Sequence, residues 1–98
     1  MPLDDLIRDI EHTLLVYEGL IAGSAGYTRP MLERYGPVEA LRMLVESGEL
    51  QSGFKALRDA NRLHESFEQL VVNHGTELFD KRTVEAAQWR LDHPHSLM

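Results

Sequence analysis

Apolar residues recur at helical spacing along almost the whole chain, in short groups separated by glycine, proline and serine. The longest group, Leu3, Ile7, Ile10, Leu14, Tyr17 and Ile21, follows 4-3-4-3-4 spacing, and Leu6, Leu15, Val16 and Leu20 widen its stripe. This pattern predicts a helix over Leu3 to Ile21. Pro2 opens it where no amide donor is needed, Asp4 and Asp5 sit at the positive end of its dipole, and Gly23-Ser24-Ala25-Gly26 closes it. Such a stripe serves either as the core-facing side of a bundle helix or as a self-association seam for a second copy of the same helix.

Shorter groups follow. Thr28 is placed to cap a second helix with Pro30 in its first turn and Met31, Leu32 and Tyr35 on its buried side. Gly36 suits a left-handed residue, and Pro37 starts a third helix, to about Ser47, that buries Val38, Leu41, Leu44 and Val45 and ends at Ser47-Gly48. Ser52 is a cap for a fourth helix over Gly53 to Ala60, with Phe54 and Leu57 inward and Asn61 at the left-handed end. A fifth, Glu65 to Asn73, buries Phe67, Leu70 and Val71 and stops at Gly75. Leu78-Phe79 then plugs the core, and Asp80 caps a last helix that turns Val84, Ala87 and Leu91 inward. Trp89 and Tyr35 read as core or core-edge aromatics.

Alternation of the kind a strand needs is missing, so the predicted fold is all-α, a bundle of five or six short helices behind one long one. One helical domain is expected over residues 1–92, with 93–98 as a C-terminal tail beyond the reach of helix because of Pro94. The 98 residues, 43% of them hydrophobic and 27% charged, suit one folded domain. There is no cysteine, which removes disulfides, thiolate chemistry and cysteine zinc sites. No apolar run is long enough for a membrane span and no basic flank opens the chain, so a cytoplasmic protein is expected, with no membrane partner.

The net charge of −6 is concentrated in the first helix, where five acids face only Arg8. Nucleic-acid binding draws most of its affinity from neutralising phosphates, and an acidic chain argues against it. The candidate phosphate or partner contacts are Lys55, Arg58 and Arg62, spaced to share a face, with Arg42 as an extension from the neighbouring helix. The competing expectation is a solvated face paired locally with Asp59, Glu46 or Glu49. Glu68 is expected to pair with Arg62 or Arg90 as a structural clamp, since a guanidinium fork holds a carboxylate with two charge-assisted hydrogen bonds.

The five histidines, His12, His64, His74, His93 and His95, show no spacing that sets two imidazoles on one helix face, so no metal site is expected. Ser24, Ser47, Ser52 and Ser66 all stand where caps or turns account for them. No catalytic residue and no cofactor are assigned. The leading expectation is a protein-binding or accessory module, self-associating through the first helix. A nucleic-acid accessory protein is the alternative, and a small metal- or carboxylate-dependent enzyme built around Glu68 a weaker one.

The order Tyr27, Pro30-Met31-Leu32, Tyr35-Gly36, Val38-Glu39-Ala40, Ser52-Gly53-Phe54, Leu57, Arg62-Leu63, Ser66, Glu68, Leu70-Val71, Leu78-Phe79, Ala87 and Arg90-Leu91 resembles a family of short bacterial all-helical proteins. The resemblance is clearest over residues 27–91. It implies a helical fold and no particular activity. The chain departs from that pattern around the turn between the fourth and fifth helices, where Arg58 stands in place of tryptophan, Asp59 in place of glutamate, and His64-Glu65-Ser66 in place of Asp-Leu-Thr.

Overall fold

Amphipathic segments of this kind have one way to hide their stripes, which is against one another. A computed structural model describes residues 2–23, 26, 28–46 and 52–95, and among them it contains six α-helices and no strand. These are α1 (Pro2–Ile21), α2 (Thr28–Tyr35), α3 (Pro37–Glu46), α4 (Ser52–Asp59), α5 (Phe67–His74) and α6 (Lys81–Asp92), with 3₁₀ turns at Leu63–Glu65 and Gly75–Glu77. The predicted all-α fold with a long N-terminal helix is the one observed. The Ser47-Gly48 stop, Ser24 and Ala25 of the first closure, Tyr27, and residues 96–98 of the tail lie outside the described residues.

Twenty residues of α1 span about 30 Å, matching the longest dimension of the molecule, 31 Å. It rests on α3, α4 and α5, while α5 and α6 form the most extensive helix pair. Leu6, Ile10 and Leu14 of α1 meet Leu41 and Val45 of α3, Leu70 and Val71 of α5, Phe79, and Ala87 of α6 in one buried cluster. Met31, Ala40 and Leu44 form a second under α2. Phe54 and Leu57 are buried as predicted, and Phe79 plugs the core with Leu78 half-buried beside it.

The turns follow backbone chemistry. Gly36 sits at φ +83° and ends α2, its amide donating to Leu32 O, while its own carbonyl accepts from Ala40 as α3 begins. Asn61, at φ +59°, ends α4, with Arg62 N reaching back to Leu57 O at 2.7 Å. Gly75, at φ 62° and ψ −153°, occupies a region open only to glycine. At the end of α1 the left-handed residue is Ala22, φ 54°, with Gly23 N donating to Glu18 O. This six-to-one bond is that of a helix end whose left-handed residue is Ala22, one position before the glycine that would adopt that conformation without strain.

Several expected details change. The fifth helix starts at Phe67 rather than Glu65, because Ser66 accepts from Gln69 N as its N-cap and the preceding residues tighten into the 3₁₀ turn. Asp80 holds the N-cap position of α6, yet its side chain makes no capping hydrogen bond. Within α6 the fully buried side chains are Thr83, Ala87 and Arg90, with Val84 and Leu91 only half-buried. Tyr35 and Trp89 are exposed rather than core aromatics: Tyr35 lies under the Arg34 guanidinium, and Trp89 stacks on His93 with ring centroids 4.5 Å apart.

Candidate functional site

The helical repeat sorts the apolar residues of α1 into two neighbouring rows. Leu6, Ile10 and Leu14, each four residues apart, are 0%, 4% and 1% exposed. The adjacent row of the same spacing, Leu3, Ile7, Glu11 and Leu15, is open: Leu3 is 45%, Ile7 49% and Leu15 59% exposed. The expected self-association seam is therefore divided. Ile10 and Leu14 belong to the core and Tyr17 is half-buried, whereas Leu3, Ile7 and Ile21 face out.

Polar contacts around α1, one of them to Glu11 of the open row, hold it in one rotation. Thr13 Oγ1 donates to Glu65 O at 2.6 Å, His12 Nε2 lies 3.0 Å from a Glu65 carboxylate oxygen, and His74 Nε2 lies 3.0 Å from Asp9 Oδ2. From α2, Arg29 straddles the helix. Its Nη2 donates to Glu18 at 2.7 Å and to Glu11 at 3.2 Å, its Nε to Glu18 at 2.9 Å, and both carboxylates hold the guanidinium firmly protonated. Glu65 is gripped by Arg62 and then His12, and these hydrogen bonds lower its carboxyl to about 2. Sequence reasoning did not find the Arg29 bridge or the Thr13 contact, since neither partner lies at helical spacing from the other.

The predicted basic stripe is not one surface. Asn61 breaks the helix, so Arg62 leaves the face shared by Lys55 and Arg58 and turns to Glu65. Arg58 donates to Asp59 Oδ1 at 3.0 Å and to Pro94 O at 3.2 Å, and only 10% of its side chain is exposed. Arg42 is paired with Glu39 and lies 3.8 Å from Glu46; the Glu39 hydrogen bond raises its pKa and lowers that of Glu39. Lys55 is exposed on α4.

Of the two arginines expected for Glu68, the structure selects Arg90. Arg90 Nη1 donates to Glu68 Oε2 at 3.0 Å and to Leu44 O at 3.1 Å, tying α6 to α5 and α3 with both charged side chains 4% exposed. Burial pushes the Glu68 carboxyl up, and its backbone amide and Arg90 pull it the other way. A second polar tie joins α6 to α3, where Thr83 Oγ1 donates to Glu46 at 2.6 Å. Both ties consume their polar groups inside the protein; among the described residues no buried side-chain N or O lacks a partner. No group of three or more histidines and acids converges on a metal-sized site among the described residues. His64 lies 3.8 Å from Glu65, and His93 stacks on Trp89.

Among the described residues no helix is long and apolar enough to cross a membrane. No protein-family model, curated protein or solved structure matches this chain. Among the described residues, the outward row of α1 carries three exposed large hydrophobic side chains, Leu3, Ile7 and Leu15.

Proposed function

We propose that this chain acts by binding another protein, and that the outward row of α1 is the surface it offers. The observation that carries this reading is the distribution of exposed apolar side chains. Of the large hydrophobic side chains exposed among the described residues, Leu3, Ile7, Leu15, Leu20 and Ile21 are all on α1, and the others, Tyr35 and Trp89, are each covered on one ring face by a neighbour. Apolar area gathered on one element and edged by charge is the usual mark of a protein contact. Carboxylate pairing of Arg42, Arg58 and Arg62 leaves less support for phosphate binding.

The test pairs the wild type with a Leu3→Ser, Ile7→Ser, Leu15→Ser variant of matched thermal stability. Sedimentation velocity from about 5 to 500 µM, the range in which weak protein pairs with Kd near 100 µM appear, reads self-association. Capture from the native lysate with each as bait reads other partners. The reading holds if a complex, with a second copy or another protein, forms with the wild type and is lost with the variant. Identical sedimentation and identical captured proteins for the two would end it.

A further inference from the structure

Resting on that reading, we infer that the partner of α1 is a basic amphipathic helix rather than a second copy of this chain. The open row Leu3, Ile7, Glu11 and Leu15 is a ridge of residues spaced by four, the shape that seats in the groove of a facing helix. Glu11, half-exposed, interrupts that ridge between Ile7 and Leu15, and Asp4 flanks its beginning. Across α1 as a whole five acids face Arg8, which is itself paired with Asp5 at 2.7 Å.

Self-pairing through this ridge gives Glu11 no cation from the second copy's ridge in either direction. Two parallel copies bring Glu11 to Glu11 and Asp4 to Asp4, and an antiparallel pair crossing at the middle of the ridge sets Glu11 of each copy against Ile7 of the other, a carboxylate pressed on an apolar side chain. Such juxtaposition disfavours a partner. A helix with apolar residues to cover Leu3, Ile7 and Leu15, and with lysine or arginine beside them, meets both demands at once. The molecule already contains the precedent: Arg29 of α2 lays its guanidinium across Glu11 and Glu18. That bridge approaches from one side and leaves Glu11 52% exposed, so a cation of a partner has room at the same carboxylate.

The probe is a fluorescein-labelled Leu/Lys amphipathic peptide of about five helical turns, long enough to follow the ridge, compared by anisotropy with a Leu/Glu peptide of the same apolar pattern. The full chain is expected to bind the Leu/Lys peptide, to bind it more weakly as salt is raised, and to leave the Leu/Glu peptide free. The Leu3→Ser, Ile7→Ser, Leu15→Ser variant should weaken binding by about ten-fold or more. Glu85→Gln on α6 removes one acid away from the ridge and should change it less than about two-fold. Absence of binding, equal binding of the two peptides, or equal loss in the ridge and Glu85→Gln variants overturns the inference. Sedimentation that shows a wild-type dimer abolished by the ridge variant overturns the basic-partner inference while leaving protein binding through α1 standing, so the two failures are distinguishable.

Discussion

Two rows of α1 one residue step apart carry the same kinds of side chain and meet opposite fates. Leu6, Ile10 and Leu14 lose all but a trace of their solvent contact, while Leu3, Ile7 and Leu15 keep about half of theirs. Hydrophobicity does not separate them, because leucine and isoleucine supply both. What separates them is direction: α3, α4 and α5 approach α1 from the side of the first row, and on the second row Arg29 of α2 reaches Glu11. One row therefore contributes to the core, and the other is left in contact with water.

The sharpest way to break that comparison is to disturb the inner side of the molecule and the outer side in parallel. Removing one partner of the buried pair, as in Glu68→Ala, leaves Arg90 charged and enclosed and should cost about 3–5 kcal/mol in urea unfolding. Leu14→Ala, in the inner row, should cost about 2–5 kcal/mol through lost burial and the cavity left behind. Ser66→Ala deletes the cap that accepts from Gln69 N and should cost about 1 kcal/mol. Ile7→Ser, in the outer row, should stay within about 0.5 kcal/mol. If Ile7→Ser destabilised as much as Leu14→Ala, the division between the rows would collapse.

Acid titration sharpens the same contrast at the contact that fixes the rotation of α1. The Glu65 carboxyl is lowered from 4.5 to about 2 in the folded protein by Arg62 and His12. A depressed carboxylate stabilises the fold above its unfolded pKa and loses that contribution as the pH falls through its folded one. Stability followed by urea midpoint should therefore decline from about pH 4.5 towards pH 2, and Glu65→Gln should flatten that part of the curve. An unchanged slope in the variant would show that the carboxylate is not held by these partners.

Much of the architecture was legible because it is local. Gly36 and Asn61 each stand where a left-handed residue ends a helix, and Ser66, one of four serines assigned to capping or turn duty, does cap α5. Spacing also carried Leu41, Leu44, Val45, Phe54, Leu57, Leu70, Val71 and Ala87 to the interior. The candidate site was legible only in outline. The heptad reading places Leu3, Ile7, Ile10, Leu14, Tyr17 and Ile21 on one seam; which of them are covered depends on the side from which α3, α4 and α5 approach. The basic stripe failed at Arg62 for a related reason, since a helix face cannot continue past the left-handed Asn61.

The arginines show the same boundary from the electrostatic side. Glu68 had two candidate partners at the level of sequence, and burial of Arg90 between α3 and α5 decides between them, leaving Arg62 to Glu65. Periodicity and turn chemistry act over a few residues, so the amino-acid order alone determined that this chain is helical, where most of its helices stop, and that its first helix is acidic and apolar together. Distances between segments far apart in the chain depend on how those helices pack. Only the tertiary structure could decide that one apolar row of α1 is enclosed and its neighbour is left in water.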